Sequence, residues 1–265
     1  MNPTASLAPV FQDGRIHTAW ESGYRRGRLQ RAFNERLRRR VVRGLRLAPG
    51  ALILDAGCGT GEHALRFAEL GYHCLGVDIA RPALEKAEAR AHAAGLGARV
   101  SFGCQPLEAM PYPDASFHAI HCRGVLMHVP DWERALAELC RVLKPGGRLA
   151  LLENNHRAVE MALIRLARRF RTGESRVEVT PGGVEFWLDR PGEAPLTRVA
   201  NVAALSDRLA RQGVKVVRRF ASEFWDLNRF PALLRGAVTV FNHLWLACRL
   251  PARWSMGNVL IGEKV

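Results

Sequence analysis

The sequence of 265 residues lacks several patterns that mark common protein classes. No apolar run reaches the roughly 18 residues of a membrane span, and the first residues show no basic start followed by a long apolar stretch. Six cysteines occur without any CxxC pair, which favours reduced thiols over a disulfide framework or a zinc site. We therefore expect a cytoplasmic globular protein with no signal peptide and no metal.

Lysine is scarce, since arginine outnumbers it 35 to 4 within a net charge of +14. The densest basic segment, residues 24–46, carries ten arginines and one glutamate. A basic helix of this kind can meet nucleic acid or an anionic membrane surface, or can simply present a solvated face. Because arginine is spread along the whole chain, charge alone does not decide between these interpretations.

Strand and helix signals alternate from residue 51 to residue 153. Helical patterns follow the first strand at 62–70, the second after Pro82, and the fourth after a cap at Asp131. This alternation predicts an α/β protein with a doubly wound, mostly parallel sheet and helices on both faces. The five predicted strands are 51–56, 73–78, 98–103, 117–122 and 148–153.

The pattern loosens after Glu153. A helix over 157–170 precedes a Gly-, Pro- and charge-rich excursion at 172–197, and Asn201 can cap a helix to Gln212. Strand patterns return at 214–220 and 258–265. Seven large aromatic residues from position 220 to position 254 suggest an apolar lid or a packed core helix. These aromatic residues are Phe220, Phe224, Trp225, Phe230, Phe241, Trp245 and Trp254.

The first strand runs into a turn with glycines at 57, 59 and 61, and the second ends in Asp78. Glycine allows close backbone approach to a ligand, and a carboxylate at that position suits ribose hydroxyls. A dinucleotide fingerprint requires its third glycine at 62, where the chain has Glu62, and no tyrosine is followed by lysine at the Tyr-x-x-x-Lys spacing. Asp55 beside the loop suits an ammonium group better than a pyrophosphate. The residues therefore favour S-adenosylmethionine over NAD.

Four motifs in order carry a family resemblance: DAGCGTG at 55–61, Asp78, MPYPDASF at 110–117 and RVLKPGG at 141–147. Over residues 45–155 the chain resembles class I S-adenosylmethionine-dependent methyltransferases, in particular small-molecule enzymes of the quinone-biosynthesis type. The resemblance implies a seven-stranded Rossmann-like sheet. It also implies an N-terminal helical cap (1–44), a cofactor-binding core (45–155), and an acceptor-pocket elaboration with the closing strands of the sheet (156–265).

The resemblance also implies roles for single residues. Asp55 would face the methionine amino group, Asp78 the ribose hydroxyls, and Ile79 the adenine. Pro106 aligns with the family's acidic adenine contact and has no N–H, so that contact falls to Gln105 or to the Leu107 amide. The cofactor-binding set is Asp55, Gly57, Cys58, Gly59, Gly61, Asp78, Ile79, Gln105, Leu107 and Arg123. In the family an N-terminal helix often closes over the cofactor, which makes Trp20 and Tyr24 further candidates beside surface packing.

Methyl transfer needs a general base only when the nucleophile must first lose a proton. His128 and His156, near the ends of the fourth and fifth strands, are the candidate bases, and structural roles remain open for both. The expected reaction is methylation of an O or N atom of a hydrophobic or aromatic small molecule, such as a lipid or a quinone. Two alternatives stay open: a nucleic-acid methyltransferase, although no specific motif for nucleic acid is present, and a cofactor-binding protein with a non-methylating reaction. Residues 232–250 also suit contact with a membrane surface, and the oligomeric state is undetermined.

Overall fold

The computed structural model describes residues 9–18, 27–168, 176–187 and 196–265. Seven helices within the described residues are numbered along the chain. They are α1 (Gly27–Leu45), α2 (Glu62–Glu69), α3 (Arg81–Ala93), α4 (Trp132–Val142), α5 (Val159–Arg168), α6 (Val202–Arg211) and α7 (Ala232–Ala247). The strands are β1 (Leu52–Ala56), β2 (His73–Asp78), β3 (Val100–Cys104), β4 (Phe117–Arg123), β5 (Leu143–Asn154), β6 (Arg176–Thr180), β7 (Gly183–Trp187), β8 (Leu196–Ala200), β9 (Val214–Ala221) and β10 (Gly257–Lys264).

The main sheet has seven strands in the order β3-β2-β1-β4-β5-β10-β9. Strands β1 to β5 pair in parallel, and β10 runs antiparallel to β5 and β9. The doubly wound, mostly parallel sheet predicted from the alternating pattern is therefore confirmed. Because parallel strands end on the same side, the carboxyl ends of β1, β2, β4 and β5 lie along one edge.

Apolar side chains from helices cover both faces of the sheet. On one face, α4 and α6 pack Leu136 and Leu205 over the strand residue Ile120. On the other, α1 and α2 pack Phe33 and Phe67 around Ile53. Among the described helices, none combines the length and apolarity that crossing a bilayer requires.

The excursion after α5 differs from the prediction of an irregular segment. Strands β6, β7 and β8 form a separate antiparallel sheet. A tight turn with Gly183 at φ 139° joins the first two strands, and a buried ion pair joins Arg198 to Glu185 at 2.8 Å. These strands are short, and their charged residues pair with residues on neighbouring strands. The alternation of apolar and polar residues that predicts a strand is therefore weak in this part of the sequence.

The sequence predicts a strand from residue 148, and the structure begins β5 earlier, at Leu143, so that residues 144–147 lie within the strand. Leu143 pairs with Phe117, and Arg148 pairs with Ala119, so four residues bulge between two registered pairs. Gly146 takes φ 72° within this bulge. Pro145, Gly146 and Gly147 therefore distort the strand from within instead of preceding it.

Candidate active site

A cavity of about 390 Å³ opens at the carboxyl ends of the parallel strands. It runs from the β3 side of the sheet, at Gln105 and Leu107, across β1 and β4 to the β9–β10 side, at Ser222 and Gly257. The described N-terminal residues Phe11 and His17 also line it. Trp20 and Tyr24 lie outside the described residues. One cavity thus spans the region predicted for the cofactor and the region predicted for the acceptor.

The glycine loop between β1 and α2 lies against this cavity, and its glycines have different surroundings. A Cβ at Gly57 (φ 70°) would overlap Val125, whereas a Cβ at Gly59 (φ 52°) would meet no described residue within 4 Å apart from its own chain neighbours. Gly59 therefore faces open space that a ligand can approach. Gly61 does not line the cavity: a Cβ there would meet Ala87 at 2.9 Å. Its small size serves the packing of the loop on α3 instead of a predicted cofactor contact.

Asp78, at the end of β2, holds the glycine loop through its carboxylate. Its Oδ2 accepts from the Gly59 amide at 2.8 Å, and its Oδ1 accepts from the Ala80 amide at 2.9 Å. Withdrawal from water raises the carboxyl pKa, and the backbone donors partly offset that rise. Each carboxylate oxygen can accept two hydrogen bonds, so the group retains acceptor capacity for the hydroxyls of a bound ribose.

A short N-terminal segment covers the β2 end of the cavity. Gln12 donates from Nε2 to the Ile79 carbonyl at 2.9 Å and accepts from the Arg81 amide at 3.2 Å. Phe11 packs against Ile79. These contacts hold residues 9–18 beside Ile79, the residue expected to face the adenine. The sequence did not indicate Phe11 or His17, since neither lies in a recognisable motif.

Beyond β3, the structure places Gln105, Leu107 and Glu108 on the cavity and leaves Pro106 off the lining. The Gln105 side chain bonds the Tyr112 hydroxyl, and its backbone amide donates to the Asp78 carbonyl at 2.9 Å. Glu108 is buried and was not predicted. The sequence does place an acidic residue, Glu108, two positions after Pro106, and this position could have identified it as the acidic group of the turn.

Asp55, at the end of β1, lies buried with one carboxylate oxygen directed to the protein. Its Oδ1 accepts from His121 Nδ1 at 2.7 Å. Within the described part of the chain, its Oδ2 has no hydrogen-bond partner although it is shielded from solvent. A buried carboxylate oxygen without a donor is costly, so a ligand that brings a donor is favoured here. An ammonium group would satisfy it, which fits the methionine end of S-adenosylmethionine.

Acidic and amide side chains dominate the far end of the cavity, past β5. Glu153 is 5 % exposed, and its Oε1 accepts from the Leu126 amide at 3.1 Å. Its Oε2 has no partner among the described residues. Burial raises the pKa of Glu153 to about 8, while nearby backbone donors oppose the rise. Loss of water also raises the pKa of Glu223, to about 7.

His128 lies on the cavity, and the structure positions its ring from the small sheet. Its Nδ1 lies 2.7 Å from the carbonyl of Leu196, at the start of β8. Because a carbonyl only accepts, Nδ1 carries the proton and the neutral ring has its lone pair on Nε2. Burial lowers the pKa of His128, which favours the neutral ring. Arg198 fixes the same turn by donating to the carbonyls of Leu126 and Val129, each at 2.9 Å.

The structure does not bring His156 to the cavity. Its Nδ1 lies 3.1 Å from the Ala200 carbonyl, which also accepts from the His156 amide at 3.0 Å. This histidine thus ties the chain after β5 to the small sheet. Arg123, by contrast, does line the cavity, at the end of β4.

None of the seven aromatic residues expected to form an apolar lid lines the cavity. They pack mainly on one another: Phe224 lies 4.2 Å from Trp245 between ring centroids, and Trp225 lies 6.0 Å from Phe230. The chain carrying Phe224 and Trp225 turns its neighbours Ser222, Glu223 and Asp226 toward the cavity instead. Aromatic content along the sequence does not reveal which side of a loop faces a ligand.

Residues 54–151 match a protein-family model described as a methyltransferase domain (Methyltransf_11). The chain carries a methyltransferase domain. The match includes the glycine loop and the ends of β2 and β4, which line the half of the cavity predicted for the cofactor. S-adenosylmethionine is the cofactor of this domain, and two features fit it: the Asp55 Oδ2, which no described residue satisfies, and the open approach to Gly59.

Curated relatives match the methyltransferase domain over part of their length. The 27-O-demethylrifamycin SV methyltransferase of Amycolatopsis mediterranei is 40% identical over 117 residues, which are 44% of this chain and 43% of that protein. The demethylmenaquinone methyltransferase of Thermus thermophilus is 43% identical over 118 residues, 44% of this chain and 52% of that protein. The chain spans about half the length of the curated relatives it matches.

Solved structures share the fold over most of this chain. The [4+2]-cyclase SpnF gives a TM-score of 0.60 at 23% identity and covers 86% of this chain and 80% of its own. The 1,6-didemethyltoxoflavin-N1-methyltransferase of Burkholderia thailandensis was solved with S-adenosylhomocysteine and gives a TM-score of 0.60 at 17% identity. That match covers 100% of this chain and 92% of the other chain. At these identities the likeness shows the fold.

Proposed function

We propose that this protein transfers the methyl group of S-adenosylmethionine to an oxygen or nitrogen atom of a small molecule. One observation carries the proposal: a cavity connects the Asp55–Asp78 half to the Glu153–Glu223 half, and each half holds a buried carboxylate oxygen that has no partner in the described parts of the chain. When bound, the cofactor supplies a methyl group already activated on a sulfonium. The remaining work of the protein is binding, orientation and exclusion of water.

The protein residues divide this work along the cavity. Asp78 and the Gly57–Gly59 loop hold the nucleoside end, and Asp55 Oδ2 accepts from the amino group. On the acceptor side, Glu153 Oε2 offers a hydrogen-bond acceptor to a hydroxyl or amine. With a pKa raised to about 8, this carboxyl is also a strong enough base near neutral pH to take a proton from the reacting group.

His128 is the second candidate for holding a proton, at Nε2. The Leu196 carbonyl fixes its tautomer, and Phe11 lies 6.2 Å from its ring between centroids. We do not propose His156 as a base, because its ring is engaged by Ala200 away from the cavity. Glu153 and His128 are thus the two groups whose substitution should separate catalysis from cofactor binding.

We propose that the reacting end of the acceptor is polar. Glu153, Glu223, Asp226, Asn154 and Ser222 form the acceptor end of the lining. A hydroxyl or a basic amine finds hydrogen-bond acceptors there, and a cationic amine also favours the ionised forms of Glu153 and Glu223. The aromatic residues that suggested an aromatic or lipid-like acceptor lie elsewhere, so they no longer support that choice.

Calorimetry with S-adenosylmethionine and S-adenosylhomocysteine tests the cofactor part of the proposal. We expect both to bind, and Asp78→Asn to weaken binding by about 1.5–3 kcal/mol because a charge-assisted contact to ribose is lost. Glu88→Gln, which removes an exposed carboxylate on α3, is the matched control and should bind like the wild type. Absence of binding by either nucleoside would refute the proposal.

Turnover is tested by formation of S-adenosylhomocysteine with matched alcohol, amine and carboxylate probes that share one carbon skeleton. We expect Glu153→Gln to lower turnover at least about tenfold while cofactor affinity stays unchanged. A non-methylating reaction is the second candidate, because a protein named as a cyclase shares the fold. Consumption of an acceptor without S-adenosylhomocysteine formation would favour it, and retention on RNA at physiological salt would favour a nucleic-acid substrate.

A further inference from the structure

Helix α7 has an unusual distribution of side chains. Its buried side includes the polar residues Thr239 and Asn242, each 3 % exposed. Its outer side exposes Leu233 (92 %), Val240 (46 %) and Leu244 (58 %). The buried side thus mixes these polar residues with Val238 and Leu246, while the outer side is apolar, unlike the polar outer side of an ordinary surface helix. The exposed positions recur at helical spacing and form one face, the outer face of α7: Leu233, Gly236, Ala237, Val240, Phe241, Leu244 and Ala247.

The buried polar residues of α7 have partners, which shows that this orientation of the helix is specified. Asn242 Oδ1 accepts from the amides of Phe224 and Trp225 at 2.9 and 3.1 Å, and its Nδ2 donates to the Trp225 carbonyl at 3.0 Å. Thr239 donates to the Arg235 carbonyl at 2.8 Å. Rotating α7 to bury the leucines would break these bonds, and so the apolar face stays outward.

A group of arginines lies near the C-terminal end of α7. Arg40 donates to the Leu246 carbonyl at 3.0 Å and stacks over the Phe220 ring at 4.3 Å, and Arg218 approaches the same ring at 5.7 Å. The pKa of Arg40 is lowered by withdrawal from water and then by four nearby arginines. With Arg40, these make up the arginine cluster: Arg36, Arg40, Arg43, Arg218 and Arg249.

The segment after α7 adds the side chains typical of an interface between water and lipid. Leu250 and Trp254 are 40 % and 44 % exposed, and the Arg253 guanidinium lies 4.8 Å from the Trp254 ring centroid. Tryptophan is enriched at the depth of lipid headgroups, and arginine can extend its charge toward phosphates while its stem lies along apolar surface. We propose that the outer face of α7 docks on an anionic phospholipid membrane, with the arginine cluster on the headgroups.

Charge favours a membrane over a second copy of this chain. A second copy carries the same arginine cluster and the same net charge of +14, so pairing through this face opposes like charges. An anionic bilayer supplies both complementary features, a negative surface and an apolar layer beneath it. α7 has a single charged residue, Arg235, at its N-terminal end, so its apolar face can enter the headgroup boundary without burying a charge.

Docking would also place the membrane behind the acceptor end of the cavity. Asn242 on α7 binds the backbone of Phe224 and Trp225, and the flanking residues Glu223 and Asp226 line the cavity. This inference concerns a surface and does not depend on the proposed reaction. Its failure and that of the proposed function are separate, since cofactor binding is measured apart from it.

Vesicle co-sedimentation tests the docking surface with the full chain. The probes are vesicles of phosphatidylcholine alone and vesicles in which about one lipid in three is phosphatidylglycerol. We expect the wild type to sediment with the anionic vesicles, with binding that weakens as salt increases. Leu233→Gln and Leu244→Gln should each reduce this partitioning about tenfold, and Arg249→Gln should reduce binding to the anionic vesicles only.

Leu70→Gln is the matched control, because Leu70 is 56 % exposed at the end of α2 and lies outside this surface. Unchanged affinity for S-adenosylhomocysteine shows that each variant is folded. The proposal is overturned if the wild type stays in the supernatant with anionic vesicles at about 0.1 M salt, or if both leucine variants bind like the wild type. It is also overturned if sedimentation velocity shows a wild-type dimer that Leu244→Gln dissociates, without vesicle binding.

Discussion

Asp55 and Glu153 each commit one carboxylate oxygen to the protein and leave the other buried without a partner among the described residues. Such a group is destabilising unless a ligand supplies a donor. The two residues lie near the carboxyl ends of β1 and β5 and line the same cavity. At the scale of single residues, the site is therefore built to gain hydrogen bonds only when cofactor and acceptor are bound.

Glu153→Gln should remove a pH-dependent loss of stability in the ligand-free protein. The folded pKa of about 8 lies above the ordinary value of 4.5, so the neutral form is favoured in the fold. Wild-type stability is then fully present below about pH 4.5 and is lost as the pH rises through about 8. The variant should be more stable than the wild type at high pH, by roughly 2–4 kcal/mol, with little difference near pH 4.5.

Urea unfolding of both proteins across this pH range measures the difference. Glutamine keeps an oxygen that can accept from the Leu126 amide, so the loss of charge is isolated from the loss of that bond. Glu69→Gln, at an exposed ion pair, is the control and should show no such trend. A constant difference between wild type and Glu153→Gln from low to high pH would contradict a raised pKa.

The loop from β1 to α2 shows how one element divides stability from binding. The Gly57 and Cys58 amides both donate to the Val77 carbonyl, at 2.8 and 2.9 Å, so the loop is tied to β2. Gly57 packs against Val125, and Gly61 packs against α3. Gly57 and Gly59 both line the cavity, but among the described residues only an added Cβ at Gly59 would meet open space there. Three glycines in one motif thus have three different physical roles.

Gly57→Ala should therefore affect mainly the stability of the fold, and Gly59→Ala should affect mainly the affinity for the cofactor. Both place alanine at positive φ, which costs about 1 kcal/mol. At Gly57 the added methyl group also overlaps Val125, so we expect a further loss of about 1–3 kcal/mol in unfolding free energy. At Gly59 the methyl group enters the cavity, so we expect stability near the strain cost alone and a loss of cofactor affinity of at least about tenfold.

Denaturant unfolding together with calorimetry distinguishes the two variants. Gly95→Ala is the control, since Gly95 also has positive φ with no atom near its Cβ but lies outside the cavity lining. It should lose stability as Gly59→Ala does and keep full cofactor affinity. Equal cofactor affinity for Gly59→Ala and Gly95→Ala would show that the loop does not approach the ligand.

The whole molecule combines a net charge of +14 with a cavity that carries many carboxylates. A cationic sulfonium is disfavoured by the overall charge, so the local acids must provide its attraction at close range. Cofactor binding should also stabilise the N-terminal segment, because the Gln12 side chain is hydrogen-bonded to the backbone of Ile79 and Arg81. Cofactor binding is thus expected to stabilise the fold as a unit.

S-adenosylhomocysteine at about one hundred times its dissociation constant should raise the unfolding free energy by about 2.7 kcal/mol. For a chain of this size that corresponds to a rise in Tm of about 5–10 °C. Scanning calorimetry at increasing ligand concentration measures it, with Asp78→Asn as the comparison that should respond less at equal concentration. A Tm independent of ligand would contradict binding to the folded state.

The sequence determined much of this protein by itself. Alternating periodicity predicted the parallel strands, and the motif around Asp55, Gly59 and Asp78 predicted the cofactor half, because a turn between a strand and a helix is encoded by adjacent residues. Local signals also predicted the caps at Asp131 and Asn201.

Tertiary structure alone decided the acceptor half. Glu153 and Glu223 are 70 positions apart, and they share a cavity because β10 pairs with β5 on one side and with β9 on the other. The small sheet reaches His128 through the Leu196 carbonyl, a backbone atom that no residue pattern marks. The outward apolar face of α7 likewise depends on the bonds of Asn242 to another segment. Long-range pairing and burial set these features, and neither is contained in local periodicity.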